Sequence, residues 1–180
     1  MLNYKNPKAK PCEVCERLFV PDRMGQLVCR PACAMKKVRQ EKLEERAQIK
    51  TRREKAKTTG QRKAEAQAAI NKWVVHVRDK DQPCISCGRF HQGMYHAGHY
   101  RSRGSAPHLA LDPGNLHKQC APCNLHLHGN LIEYRKGLIA RYGIAHVEAL
   151  EADNTARHYS PDDIDAIRDT YKKKLKELQA

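Results

Sequence analysis

Apolar positions are spread thinly and unevenly along the chain. The longest uninterrupted runs, such as Trp73-Val74-Val75, span only a few residues. Between Ala34 and Lys63 the apolar residues Val38, Leu43, Ala47 and Ile49 make no continuous seam, which disfavours a coiled coil. The polar positions between them are mostly Lys, Arg, Glu and Gln, strong helix formers with little competing turn chemistry. This pattern predicts a long exposed helix that weakens near Thr58-Thr59-Gly60. It restarts through residues 64–80, where Ala69, Trp73 and Val77 recur at helical spacing. After Asn124 the stretch to Tyr142 reads as one helix closed by Gly143. A last helix is predicted from Ser160, with Ser as N-cap, Pro161 at its first position, acids in its first turn and Tyr171–Lys174 towards its end.

Composition narrows the architecture. With 180 residues but only two Phe and one Trp, the core is thin for the length, and a large barrel or doubly wound sheet is excluded. No apolar run approaches the roughly 20 residues a spanning helix needs. The opening MLNYKNPKAKPCEVC lacks the apolar region of a signal peptide, so no membrane partner and a cytoplasmic setting with reduced thiols are expected.

The 34 Lys and Arg outweigh 20 Asp and Glu, for a formal charge of +14. Residues 34–63 hold twelve of the basic and four of the acidic residues, so the excess is concentrated there. Such a balance points to a polyanion, most often nucleic acid. The basic stretch reads either as a solvated linker helix or as an arm lying along phosphates, with Lys36, Lys37, Arg52 and Arg53 as candidate contacts.

The eight cysteines fall into two quartets: Cys12, Cys15, Cys29 and Cys33, then Cys84, Cys87, Cys120 and Cys123. A Cys-x2-Cys turn aims two sulfurs at one tetrahedral ion, and a second pair closes the shell. All eight are used, which a redox pair or an iron–sulfur cluster does not explain. Two structural Zn(II) ions are therefore expected. Each all-thiolate zinc site carries a net charge of −2, which would bring the chain from +14 to about +10.

Seven histidines lie inside or just after the second quartet: His91, His96, His99, His108, His117, His126 and His128. The segments CISCG, AGHYR, HKQC and C-x2-CN-x-H-x2-GN resemble the zinc-stapled HNH (His-metal finger, ββα-metal) nucleases, and more closely the NinG (Rap) recombination nucleases of lambdoid phages. The resemblance is strong over Asp79–Leu131 and looser elsewhere. It implies a small, zinc-stabilised α+β protein: an N-terminal four-cysteine module (1–33), a basic helical arm (34–78), an HNH-like finger with the second zinc (79–143) and a C-terminal helical region (144–180). It implies metal-dependent cleavage of branched DNA, such as a Holliday junction or D-loop, in the host cell cytoplasm. Paired cuts would call for a homodimer, although no dimer seam is visible, and recombination proteins of phage or host are candidate partners.

By the same resemblance His99 falls at the general base, and Asn124 at a ligand of a catalytic Mg(II) or Mn(II) ion. A neutral imidazole suits the base, and a divalent cation suits the developing charge. Many HNH fingers carry Asp or His just before the base; here that residue is Gly98, and the nearest substitute is His96. In a regular strand 96 and 99 face opposite sides, and a bulge at Gly98 could bring them together. In a continuous helix His128 would share a face with Asn124, although an exposed helical His is the commoner case. Asn115 reads as structural, bonding across the hairpin loop. His91, His108 and His117 read as surface or loop residues. Arg101 and Arg103 read as phosphate clamps or as solubilising charges. The competing function is a non-catalytic double zinc-finger DNA-binding accessory or regulatory protein. Phosphate contacts alone do not separate DNA from RNA.

Overall fold

A computed structural model describes residues 8–177; the start of the 1–33 module and the last three residues of the 144–180 region lie outside the described residues. Two small sheets among longer helices make this a small α+β protein. It divides into two compact units, Met1–Lys57 and Thr58–Ala180.

The first unit has a short hairpin, β1 (Lys10–Pro11) and β2 (Leu18–Phe19), and one long helix, α1 (Pro31–Lys55). Proline opens α1, where its missing N–H costs nothing. Cys33 is the only buried residue of this helix, and Met35, Val38, Leu43 and Ile49 face solvent. The expected long exposed helix is therefore present, and it ends at Lys55, just before the predicted weak point.

The second unit opens with α2 (Thr59–Trp73). Its start is a reciprocal cap: Gln61 N–H donates to Thr58 Oγ1 at 3.2 Å, and Thr58 N–H donates to Gln61 Oε1 at 2.9 Å. A π-turn, Val74–Arg78, extends it. This half of the expected exposed arm is exposed on one side only. Ala66, Ile70 and Val74 are fully buried with Ile164 of α5 (Pro161–Lys176). Trp73, one of the residues that recur at helical spacing, is half-covered and packs on Tyr171 at 5.1 Å between ring centroids. Arg62–Asp165 and Arg168–Glu65 ion pairs flank the contact. The cap predicted for the last helix is present, Ser160 and Asp163 bonding reciprocally.

The second sheet pairs β3 (Tyr95–His99) with β4 (Leu116–Cys120), antiparallel. Its register runs unbroken from Tyr95↔Cys120 to His99↔Leu116, so no bulge at Gly98 brings 96 and 99 together. His117, expected at the surface, lies inside at 1% exposure, with Nδ1 3.2 Å from the Tyr134 hydroxyl. Burial and the nearby Arg78 guanidinium push its pKa down to about 3.

The continuous helix expected after Asn124 is also interrupted. Pro122–His126 is a π-turn, and the chain then turns left-handed at His128, Gly129 and Asn130 before α3 (Leu131–Tyr142) begins. The Gly129-Asn130 pair is a helix-stop signal that the apolar pattern conceals. Gly143, at φ 84, ends α3 where predicted. A second core joins α3 and α4 (Ile144–Ala152) through Tyr134, Leu138, Val147 and Leu150, with Ile85 and Leu109. A side chain at Gly137 would strike the Ile85 carbonyl, so glycine permits this close packing. Among the described residues no helix is long and apolar enough to cross a membrane.

Candidate metal centres and active-site cleft

Each cysteine quartet forms one cluster, its four sulfurs all within 4.8 Å of one another. Both Cys-x2-Cys turns are built alike. Cys12 N–H donates to Arg17 O at 3.0 Å and Glu16 N–H to Cys12 O at 2.9 Å; Cys84 to Arg89 and Gly88 to Cys84 repeat this at 3.0 and 2.9 Å. The residue after the second cysteine has positive φ in both, 57° at Glu16 and 66° at Gly88. The other half of each cluster returns a backbone N–H to the first sulfur, Cys29 to Cys12 and Cys120 to Cys84, each at 3.4 Å.

Four sulfurs about 2.3 Å from a tetrahedral ion sit about 3.8 Å apart. The distances Cys15–Cys29 (3.5 Å), Cys29–Cys33 (3.8 Å) and Cys87–Cys120 (3.9 Å) fit that spacing. Both clusters could therefore hold a structural metal ion. His91 Nε2 lies 3.2 Å from Cys87 Sγ, so this histidine belongs to the edge of the second cluster rather than to open surface.

The second cluster ties β4 to the Pro122–His126 turn, because Cys120 and Cys123 come from these two elements. Asn124 thereby projects beside β3. A Cβ at Gly98 would collide with Gln119 Oε1 and stand 3.2 Å from Asn124 Oδ1. Gln119 is 1% exposed, and its amide donates to Ser86 Oγ at 2.7 Å and to the Gly129 carbonyl, so it has no room to retreat. Glycine at this position lets Gln119 and Asn124 crowd against the strand.

An open cleft of about 420 Å³ runs along β3, with His96, His99, Asn124, Arg103, Asn71 and His76 among its lining residues. His96 and His99 share it without a bulge. The sheet has two strands, so the far edge of β3 is unpaired, and side chains of either face can border a cleft along that edge.

His99 Nε2 is 3.1 Å from the Ala110 carbonyl. A carbonyl only accepts, so Nε2 carries the proton and Nδ1 keeps its lone pair. Burial, helped by the Arg103 charge and opposed by the Ala110 bond, lowers the His99 pKa below its usual value and favours the neutral imidazole. His96 Nε2 is buried without a hydrogen-bond partner, an unusual state for an imidazole nitrogen. That orphaned nitrogen and the Asn124 amide oxygen, which line the same cleft, are ligand types suited to a cation.

The remaining candidates part ways. Asn115 is fully buried; its Oδ1 accepts from Arg101 N–H at 2.8 Å, and its Nδ2 donates to the Arg101 and Leu109 carbonyls at 2.9 and 3.3 Å. Arg101 is engaged by the protein itself: its guanidinium donates to the Leu150 and Asp153 carbonyls and to Asn154 Oδ1. Arg103 stays exposed at the cleft. His128 is exposed in the left-handed turn, off any helical face shared with Asn124, and does not line the cleft. Lys36, Arg52 and Arg53 are exposed on α1, whereas Lys37 pairs with Glu13 and, at 3.9 Å, with Glu41. Sequence patterns alone do not single out the α2 wall, namely Gln67, Asn71 and His76. The available signal was the position of Gln67 and Asn71 one residue past Ala66 and Ile70 of the buried stripe, and of His76 in the π-turn that extends α2, an element that often marks a functional site.

The family model described as NinG, Bacteriophage Lambda NinG protein, matches residues 4–180. Protein ninG of Salmonella phage P22 is 38% identical over 186 residues, covering 93% of this chain and 91% of that protein. Protein ninG of Escherichia phage lambda is 34% identical over 194 residues, covering 96% and 95%. No solved structure matches the chain.

Proposed function

The chain belongs to the NinG family of bacteriophage lambda-type proteins, and from that premise we propose that it is a metal-dependent endonuclease of the HNH, ββα-metal kind acting on branched recombination DNA. The observation that carries this reading is the His99 imidazole, held neutral with Nδ1 free, in one cleft with the orphaned His96 Nε2 and Asn124. The two cysteine clusters hold Zn(II), which replaces part of the missing apolar core at roughly 10–16 kcal/mol apparent per site.

His99 Nδ1 takes the proton from a water molecule, whose oxygen attacks the phosphorus; the bond to the leaving oxygen breaks, and that oxygen takes a proton from solvent. Asn124 and His96 would hold the divalent cation, Mg(II) or Mn(II), which supplies charge stabilisation at the phosphate and leaving oxygen when bound. Arg103, exposed and without an acidic partner among the described residues, meets the phosphate. Asn115 supports the end of β3 and so the orientation of His99.

The test is His99→Ala in the zinc-loaded protein, assayed on a four-way junction, a D-loop and a linear duplex with Mg(II) or Mn(II). Cleavage should fall at least 100-fold, the usual scale for a general base, with DNA affinity retained. Undiminished cleavage would reject the base. A wild-type protein that binds these DNAs and never cuts them would instead be a zinc-finger accessory factor.

A further inference from the structure

A second cavity, of about 590 Å³, adjoins the cleft and shares Gln67 and Arg103 with it. Its volume is within the roughly 300–1,000 Å³ of small-ligand sites. Ala110, whose carbonyl holds His99, is part of its wall, so the cavity begins one residue behind the base. The walls are mostly apolar: Ala64 of α2, Pro107 and Leu111 of the loop before β4, and Ala156 and Tyr159 of the segment between α4 and α5.

That last segment has no regular structure, yet it is pinned from several sides. Arg157 pairs with Asp112 at 2.8 Å and with Asp153 at 2.7 Å. His108 Nε2 donates to the Asp153 carbonyl at 2.8 Å, and Arg101 to Asn154 Oδ1 at 3.0 Å. The recess is thus a formed feature rather than a gap beside a loose loop. The charge of Arg157 is matched by these acids. Lys63 and Arg103 also border the cavity and have no acidic partner among the described residues, so two cations remain for an anion.

An apolar recess with an aromatic wall, unmatched cations and an opening onto the cleft has the chemistry of a nucleotide: base inside, phosphate outside. A continuous duplex keeps its bases stacked and paired; a fork or D-loop, with a single strand at its branch, supplies bases that are already free. We propose that this cavity receives one unpaired nucleotide of the bound DNA, its base against Tyr159 and Pro107 and its phosphate at Lys63 and Arg103, and so selects forked or D-loop DNA over a continuous duplex. The inference rests on the nuclease reading only in taking DNA as the partner.

The test measures binding alone, on the full-length zinc-loaded protein without added divalent cation. The probes are a forked DNA with 2-aminopurine at the first unpaired nucleotide and a fully paired duplex of the same sequence. The fork should bind at least tenfold tighter, with a change in 2-aminopurine emission. Ala64→Trp, which fills the recess from exposed α2, should reduce that preference about tenfold and abolish the emission change, at the scale of one stacked base removed. Lys63→Gln should weaken fork binding without filling the recess, and thermal melting establishes that each variant is folded. A folded Ala64→Trp protein with the wild-type fork preference and emission overturns the cavity proposal and leaves the nuclease reading standing. A protein that fails to cut but responds to Ala64→Trp does the reverse.

Discussion

The base and its glycine neighbour account for much of the site among single residues. Gly98 stands where the resemblance to HNH fingers would place a metal ligand, and the structure supplies a steric reason for glycine: Gln119 and Asn124 occupy the space of a side chain. Gly98→Ala should therefore destabilise the second unit by about 1–3 kcal/mol, the usual cost of overpacking. It should also reduce cleavage more than stability alone explains, because Asn124 is displaced; thermal melting and metal-dependent cleavage of one variant check both. His99 makes a prediction in pH. In the proposed mechanism its neutral form is the active one, and burial with Arg103 moves protonation below the ordinary histidine range. The acid limb of kcat/KM should fall below about pH 6.5, and Arg103→Ala should move it upward by removing a like charge. A limb at or above that value in the wild type would contradict the burial argument. None of the chain-distant partners of His99 was legible from spacing, since Ala110 meets it through a loop with no periodic pattern.

Among the elements, α1 and α2 are two helices of similar composition and different fate. Both are rich in Ala, Lys, Arg, Glu and Gln, and their helical character was legible from propensity. Their burial was not. α1 covers only Cys33, whereas α2 is packed along its Ala66-Ile70-Val74 stripe against α5. The difference lies in a partner about a hundred residues away, which no local pattern announces. The two should consequently melt differently. Trp73, the only tryptophan, reports the second unit, while helical circular dichroism reports both. Heating should give a gradual loss of dichroism that begins below the cooperative Trp73 transition, because a helix with little tertiary packing frays from its ends. Coincident curves would mean that α1 is stabilised as firmly as the second unit. The helix break at His128–Asn130 follows the same logic. The apolar pattern ran through it, but Gln119 binds Gly129 and Asn130 donates to Cys123 Sγ, and these bonds favour a turn.

For the molecule as a whole, the uneven placing of charge bears most directly on what it can bind. Residues 34–63, with twelve basic and four acidic residues, hold the largest share of the formal +14, and the α1 cations Lys36, Arg52 and Arg53 among them are exposed. If these meet phosphates, replacing all three with Ala should lower the slope of log affinity against log salt for duplex DNA by up to about 0.9 for each phosphate no longer neutralised. An unchanged slope would assign the phosphate contacts to the second unit instead. Features that depend on neighbours along the chain were legible without coordinates: both cysteine quartets, the cap at Ser160, the stop at Gly143 and the basic helix. Sulfur spacing, capping and propensity act over a few residues, so they leave a local record. Three-dimensional packing settled which arginine is engaged and which is exposed, why 96 and 99 share a cleft without a bulge, and that His117 is core. Those outcomes depend on Arg101 meeting Asp153, on β3 being an edge strand and on β4 running beneath Tyr134. Each is a contact between segments whose separation in sequence carries no periodicity, so packing alone selects it.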